Sequence, residues 1–210
     1  DIVTKEIFAF TKGDSNYVLR PELTAPVVRA FVQHHLAQRG GSQKLYYIGP
    51  MFRAERPQKG RQRQFHQFGV EIIGSDDPIA DVECISFMMQ IYQRIGIKNF
   101  TLKLNSVGDP ESREAYKKVL HNYLQPNFSI LSDLSKKRLE KNPLRILDSK
   151  EPEDQEIIKN APVISNHLNQ KSTEHFELVK KYLDMRGIEY EIDPRLVRGM
   201  DYYTRTAFEL

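Results

Sequence analysis

The feature that most constrains the fold is a pair of long strand-like segments, residues 44–54 and 64–74, separated by a polar loop. Apolar and aromatic side chains recur through both segments, whereas Arg and Lys recur through the loop at 55–63. A connection of this length lets the second segment run back along the first. The sequence therefore predicts an antiparallel hairpin with a long basic tip.

Shorter strands and helices surround this hairpin. Strand-like runs at 6–10 and 17–19 flank a turn signal and predict an opening hairpin. Helical spacing predicts one helix from Thr24, as its N-cap, to the glycine pair at Gly40, and another over 78–95. Because hairpin-length loops join consecutive strands, we expect a mainly antiparallel sheet and an α+β fold.

The chain changes character in its second half. The segment 110–184 is charged, rich in helical patterns and interrupted by prolines, and we predict no strand within it. Strand patterns flank it at 99–105, 189–192, 196–198 and 202–210. We therefore predict three parts: a core at 1–109, a helical insertion domain at 110–184, and a return to the core at 185–210.

Composition excludes several classes of protein. The net charge is only +3, and 40% of the residues are hydrophobic, as in a soluble globular chain. No apolar run approaches the roughly 20 residues of a membrane-spanning helix, and the first residues show no leader pattern. The single cysteine, Cys84, cannot form an internal disulfide. We expect a cytoplasmic protein without a membrane partner.

Chemistry is concentrated on the second long strand. Alternation places one set of side chains on one face and a second, apolar set on the other. The first set comprises Phe65, Gln67, Gly69 and Glu71, and the second comprises His66, Phe68, Val70 and Ile72. A glycine between polar side chains is typical of a sheet that a ligand approaches closely, although an exposed surface would also explain this face. We expect His66 to be a satisfied core histidine.

Arginines near this face indicate an anion site. Arg53 ends the first strand on the face of Gly49 and Met51, where a guanidinium can hold a phosphate or carboxylate by two hydrogen bonds. The basic tip suits a polyphosphate or a nucleic-acid backbone, or else only keeps the hairpin soluble. No glycine-rich phosphate loop is present. Any ATP site would therefore depend on arginines.

Two other clusters are interpreted as surface features. The acidic run Glu151, Glu153, Asp154 and Glu156 on one short predicted helix is typical of a solvated face. The adjacent histidines His34 and His35 have no evident third ligand, which favours a surface pair over a metal site. We predict no protein metal centre.

Four segments of the chain carry a family resemblance. The second signature motif of class II aminoacyl-tRNA synthetases, in its histidyl form, resembles residues 47–71, which begin Tyr47-Ile-Gly-Pro-Met-Phe-Arg53 and end Phe65-His-Gln67-Phe-Gly-Val-Glu71. The histidine-specific motif of histidyl-tRNA synthetases resembles Leu196-Val-Arg198-Gly-Met-Asp201-Tyr202-Tyr203-Thr-Arg-Thr. Residues 17–25 resemble that family's amino-acid-binding segment, and residues 142–150 resemble part of its insertion domain. The chain thus resembles a bacterial-type catalytic-domain fragment.

The resemblance implies a role for each matching residue. The α-amino group of histidine would be held by Glu22, Thr24 and Gln67, and the imidazole by Glu71 and Tyr203 with Tyr202 beside it. ATP would be bound by Arg53, Glu55, Arg61, Phe65 and Arg198, with Phe65 stacked on adenine. Arg53 and Arg198 would act in catalysis, Arg198 bridging the histidine carboxylate and the α-phosphate.

The resemblance also implies an activity and partners. The parent protein would activate histidine with ATP and Mg²⁺ and transfer it to tRNA(His), acting as a homodimer. We expect a fragment, inactive by itself, because the first and third class II motifs are missing. One alternative is the regulatory subunit of ATP phosphoribosyltransferase, a non-catalytic relative that would be expected to lose some of Arg53, Arg61 and Gln67. Another is a synthetase-like sensor of uncharged tRNA.

Overall fold

The computed structural model describes residues 7–54, 56, 58–197 and 202–210. Within them the fold is α+β, with small sheets and helices, and the predicted fold class is confirmed at this level. The strands are β1 Ala9–Lys12, β2 Ser15–Val18, β3 Gln43–Phe52, β4 Gln64–Ile73, β5 Lys103–Ser106, β6 Glu191–Ile192 and β7 Thr206–Glu209. The helices are α1 Thr24–Gln33, α2 Pro78–Arg94, α3 Pro110–Leu124, α4 Asp133–Lys141, α5 Pro152–Ile158 and α6 Gln170–Met185.

The chain forms two compact units that divide between Asp76 and Asp77. This division differs from the boundaries predicted from composition, and the three-part organisation at 1–109, 110–184 and 185–210 stays a prediction. Within the described part of the chain, no helix combines the length and the apolar character needed to cross a membrane.

The first unit contains both predicted hairpins. Strands β1 and β2 pair antiparallel, and β3 and β4 pair in register from Gln43 opposite Ile73 to Phe52 opposite Gln64. Helix α1 begins at Thr24, but its N-cap is Leu23, so the prediction of Thr24 as the cap is wrong. The side chain of Glu22 instead accepts a hydrogen bond from the backbone N–H of Ala25.

Helix α1 is shorter than the periodicity predicted. It ends at Gln33, and His35 adopts a left-handed conformation with φ 51° before a 3₁₀ turn at Leu36–Arg39. A non-glycine residue in this region interrupts the α-helical hydrogen-bond pattern. His34 and His35 are both exposed, as expected for a surface pair.

The two faces of β3 and β4 are covered differently from the prediction. The face of Phe65, Gln67 and Glu71 is half-buried, whereas His66 and Phe68 on the other face are exposed. The expectation that His66 lies in a core is therefore wrong. The reason is that α1 contacts β4, with Thr24 near Glu71, whereas side chains on the apolar face stay open to solvent, Ile48 being 76% exposed.

The second unit has a three-stranded sheet in the order β6, β5, β7. Strand β5 pairs antiparallel with β7 and parallel with β6, since the helical segment provides the long crossover that a parallel pair requires. Helices α2 and α6 pack on this sheet around Val82, Ile85, Leu104, Val179 and Leu183. The predicted helix at 78–95 is confirmed by α2, but no strand forms at 196–197.

Helices α3 to α5 enclose a separate hydrophobic core. Its buried side chains are Tyr116, Leu120, Leu124, Leu131, Leu139, Ile146, Leu147, Ile158, Ala161 and Ile164. We predicted no strand within 110–184, and this is confirmed, since the described elements of that segment are helices and 3₁₀ turns. Helix α6, in contrast, packs mainly with the core of the sheet.

The acidic run on α5 is not uniformly solvated. Glu151, Glu153 and Glu156 are exposed, but Asp154 is fully buried. Its carboxylate accepts hydrogen bonds from the hydroxyls of Ser132, Ser135 and Ser149 and from the backbone N–H of Ser132. The surface interpretation of Asp154 is therefore wrong, because three serine hydroxyls, two of them 22 and 19 positions away, satisfy this carboxylate inside the protein.

Candidate functional site

The candidate site lies on the half-buried face of β3 and β4. Opposing residues on this face are Met51 with Phe65, Gly49 with Gln67, Tyr47 with Gly69, and Leu45 with Glu71. Side chains two residues apart on one strand share a face and are spaced by about 7 Å along it. Phe65, Gln67 and Glu71 therefore form a row, and Arg53 follows β3 at the end nearest Phe65.

Arg53 is held by two contacts within the first unit. Its Nε donates to the carbonyl of Pro21 at 2.9 Å, and its guanidinium lies over the Phe65 ring, 5.1 Å from the centroid. A cation over an aromatic face is stabilised by the ring quadrupole, and the planar group is fixed in orientation. Among the described residues no hydrogen-bond acceptor engages its two terminal nitrogens. They are available to an anion.

Gln67 has an unsatisfied polar atom. Its Oε1 is buried and has no hydrogen-bond partner within the described structure. Leaving a buried carbonyl oxygen unpaired costs roughly 1–3 kcal/mol, so such an atom calls for a specific explanation. A bound ammonium group, which only donates hydrogen bonds, would satisfy it. This observation fits the role that the resemblance implies for Gln67.

Three predicted histidine-binding side chains meet at the other end of the row. The carboxylate of Glu71 lies near the hydroxyl of Thr24 and near the charge of Glu22. Burial raises the pKa of Glu71, the Thr24 hydroxyl opposes that rise, and the negative charge of Glu22 adds to it. Two carboxylates held together in a half-buried site favour a cationic or hydrogen-bond-donating ligand.

The space over Gly69 is occupied by a side chain from the opposite strand. A Cβ at that position would lie 2.3 Å from the phenol oxygen of Tyr47, so the tyrosine ring occupies the space. Gly69 is required because the side chain across the hairpin lies over it. The glycine pattern correctly indicated a close approach to the backbone, but the approaching group belongs to the protein.

Sequence reasoning assigned no role to Arg20, which lies on the same face. Its Nε donates to the carbonyl of Pro50 at 2.8 Å, and its Nη2 would be 3.1 Å from a Cβ placed on Gly49. Its backbone carbonyl accepts from the N–H of Phe52. Arg20 thus joins the segment before α1 to strand β3. Its position within a motif that also contains Glu22 was the only sequence signal.

The other predicted site residues lie elsewhere in the sequence. Glu55 and Arg198 lie outside the described residues. Arg61 is exposed in the turn of the basic tip, where Gly60 has φ +82°. Tyr202 and Tyr203 belong to the second unit, and their rings stack with centroids 5.1 Å apart. Tyr202 is 62% exposed, whereas Tyr203 packs beside Val107, Leu196 and Ala207.

A separate groove lies in the second unit. It has a volume of about 640 Å³ and runs between the C-terminal half of α2, Phe100 and the turn from Arg186 to Glu191. No predicted site residue lines it. Within the described residues no group of three or more His, Cys, Asp or Glu side chains could hold a metal ion.

Comparison with known proteins reveals close relatives along the whole chain. The family model described as histidyl-tRNA synthetase matches residues 4–210. Histidine–tRNA ligase of Chloroherpeton thalassium is 54% identical over 100% of this chain and 50% of its own length. The chain thus spans about half the length of such curated relatives.

Solved structures agree with this match. Apo histidyl-tRNA synthetase from S. aureus superposes with a TM-score of 0.77 at 43% identity, over 97% of this chain and 48% of that one. A protein from Bacillus halodurans, described as an ATP phosphoribosyltransferase regulatory subunit/histidyl-tRNA synthetase, gives 0.67 at 24% identity, over 98% and 57%. At that identity the second likeness supports the fold alone.

Proposed function

The chain belongs to the histidyl-tRNA synthetase family, and we propose that its parent protein is a histidine–tRNA ligase. The parent would activate histidine with ATP to histidyl-adenylate, release pyrophosphate, and transfer the histidyl group to the 3′ end of tRNA(His). This chain would supply part of the catalytic domain, with residues 110–184 as a helical insertion in a class II synthetase core.

The observation that carries the proposal is the opposite chemistry at the two ends of one sheet face. The unpaired Oε1 of Gln67 and the carboxylates of Glu22 and Glu71 favour the ammonium and imidazole groups of histidine. Arg53, held by Pro21 and Phe65, presents two nitrogens to an anion at the other end. A ligand positive at one end and negative at the other, as an aminoacyl-adenylate is, would match this face.

The proposed mechanism depends on positioning and charge. Bringing the histidine carboxylate to the α-phosphate of ATP places two anions together, and their repulsion opposes attack. Arg53 and Arg198 would offset this repulsion and stabilise charge on the phosphoryl oxygens as pyrophosphate leaves. Little acid–base catalysis is required, because pyrophosphate leaves as an anion.

Several finer assignments belong to the same proposal. Tyr202 and Tyr203 would complete the imidazole site, Phe65 would stack on adenine, and Glu55 and Arg61 would orient the nucleotide. The exposed basic tip would contact nucleotide or tRNA phosphates. ATP would enter as its Mg²⁺ complex, since Mg²⁺ is commonly bound through substrate phosphates and water. The parent would be a cytoplasmic homodimer.

Pyrophosphate exchange by the full-length parent tests the proposal. Histidine-dependent exchange of labelled pyrophosphate into ATP is expected, with no exchange for other amino acids. Exchange absent under all conditions would reject the ligase and favour the regulatory alternative. Calorimetric titration of this 210-residue chain with a non-hydrolysable histidyl-adenylate analogue, against another aminoacyl analogue, would then show whether the face binds the product selectively.

Glu71→Gln should separate binding from stability. Folding raises the pKa of Glu71, so the ionised carboxylate lowers the free energy of unfolding. This loss of stability is fully present at pH values above the folded-state pKa. The neutral amide should therefore leave the melting temperature unchanged or higher near pH 7. Histidine affinity should fall roughly 10- to 100-fold, as expected for loss of a charged hydrogen bond. Equal losses in ATP affinity would contradict a side-chain pocket role; calorimetry and thermal unfolding measure both effects.

A further inference from the structure

The last turn before β7 is held by the starts of two helices from the segment predicted as an insertion. Arg113, in the first turn of α3, donates from Nη1 to the backbone carbonyl of Tyr203 at 2.5 Å. The hydroxyl of Thr204 and the N–H of Arg205 both donate to the carbonyl of Gly108, which precedes α3. The segment from Tyr203 to Arg205 is therefore held from the α3 side.

The start of α6 holds the side chain that follows. Arg205 donates from Nη1 to Nδ1 of His175 at 3.3 Å, and Nε2 of the same imidazole is 2.8 Å from a carboxylate oxygen of Asp81. Because a guanidinium has no acceptor, Nδ1 must accept, and Nε2 must carry the proton that is donated to Asp81. His175 therefore links α2, α6 and Arg205.

The two helix starts are joined to each other. Asp109 caps α3 by accepting from the N–H of Ser112, and Asn169 caps α6 by accepting from the N–H of Ser172. The amide of Asn169 also donates to Asp109 at 2.8 Å, so the two caps are bonded together. Arg113 and His175 therefore project from two helices whose starts are hydrogen-bonded to each other.

Arg205 also has an unusual backbone conformation. Its φ is +57°, a left-handed value that non-glycine residues adopt only when the surroundings impose it. The hydrogen bonds on both sides of this residue, from its N–H to Gly108 and from Val107 to its carbonyl, impose it here. The turn that carries Tyr203 thus depends on contacts from outside its own segment.

We propose that Arg113 and His175 are positioning residues for histidine recognition, holding the Tyr202–Tyr203 pair in place through the Tyr203 carbonyl and the Arg205 side chain. The proposal rests on the proposed function, since it requires these tyrosines to contact the imidazole of histidine. It also makes the joined starts of α3 and α6 the route by which the helical segment acts on the amino-acid site.

Steady-state exchange kinetics of the full-length parent test the proposal. Arg113→Ala should raise the KM for histidine roughly 10- to 100-fold, as expected when a binding group is misplaced by about an ångström. The KM for ATP should change less than about twofold, because the proposed ATP ligands Arg53, Arg61 and Phe65 belong to the first unit. Lys117→Ala, on the same helix and ion-paired with Glu114, is the matched control and should change neither value.

Two substitutions at His175 separate its contacts. His175→Asn retains an oxygen acceptor near the Nδ1 position for Arg205 and should keep the KM for histidine within about threefold. His175→Gln reaches toward Asp81 but lacks that acceptor, and should raise the KM as Arg113→Ala does. Glu174→Ala, beside His175 but exposed and bonded to Gln170, is the control on α6.

Each outcome bears on one claim. Wild-type parent without histidine-dependent exchange would overturn the proposed function and this inference with it. Active wild type with unchanged histidine KM in Arg113→Ala and His175→Gln would overturn only the inference. Three further results would reduce these residues to a structural role and overturn the inference. They are equal rises in the KM values for histidine and ATP, a larger effect of His175→Asn than of His175→Gln, and a lowered melting temperature without a selective rise in the KM for histidine.

Discussion

Replacing Arg53 by alanine in the full-length parent is expected to slow histidyl-adenylate formation by roughly 10²- to 10³-fold. The guanidinium is preorganised by the Pro21 carbonyl and the Phe65 ring, so its two terminal nitrogens are oriented before the substrate arrives. A fixed donor aimed at charge that develops in the transition state requires no reorganisation during the reaction. The loss should therefore fall on kcat at saturating ATP and histidine.

The fold should tolerate this substitution. Arg53 is half-buried, and the Pro21 carbonyl that loses its donor is reached by water more easily than a core group. A loss of about 1 kcal/mol in unfolding free energy is the expected cost. Arg53→Lys keeps the charge without the planar fork and should recover only part of the rate. Arg29→Ala, an exposed arginine on α1, is the matched control.

Rapid-quench measurement of adenylate formation, with thermal unfolding of the same samples, checks this expectation. A rate within about threefold of wild type for Arg53→Ala would remove Arg53 from the chemistry. A rate loss accompanied by a comparable collapse in melting temperature would assign Arg53 to the structure of the hairpin.

Local pattern predicted the main hairpin but not the environment of its faces. Strand alternation correctly separates Gln67 and Glu71 from His66 and Phe68, because the period of two is a property of the strand itself. Which face is covered depends on α1, whose Thr24 reaches Glu71 across 47 residues of sequence. No local pattern contains that information, so the core assignment of His66 failed.

Site residues were found mainly through the family resemblance, and the structure adds the reasons for their geometry. Arg53 is oriented by a carbonyl 32 positions earlier in the chain, and Gly69 is required by a ring on the opposite strand. The support of the Tyr203 turn by Arg113 spans 90 positions. Such contacts follow from tertiary packing, which composition and periodicity do not specify.

Asp154→Ala is expected to destabilise the helical core of α3 to α5 by roughly 3–5 kcal/mol, because it removes several hydrogen bonds to a charged acceptor, each contributing about 1.5–3 kcal/mol. The substitution leaves three serine hydroxyls and one backbone N–H without their common acceptor in a buried site. Ser132 is also the N-cap of α4, accepting from the N–H of Ser135, so the start of that helix is weakened at the same time.

The same carboxylate predicts a specific pH dependence. Burial by itself would raise the pKa of Asp154, but the hydrogen bonds from Ser135, Ser149 and Ser132 outweigh it and hold the pKa below the ordinary value of 3.8. A lowered pKa contributes stability that is fully present above the unfolded-state value and lost as the pH falls through the folded-state value. The difference between wild type and Asp154→Ala should thus be constant from about pH 5 to 8 and shrink below about pH 4.

Urea unfolding combined with hydrogen exchange at Leu120, Leu139 and Ile146 reports on this core directly, since all three are buried within it. Glu153→Ala, on the same helix but exposed, should stay within about 0.5 kcal/mol of wild type and serves as the control. Asp154→Asn keeps one acceptor oxygen and should lose less than alanine does. A loss below about 1 kcal/mol in Asp154→Ala, or equal losses at positions 153 and 154, would show that the serine–carboxylate cluster does not stabilise the helical core.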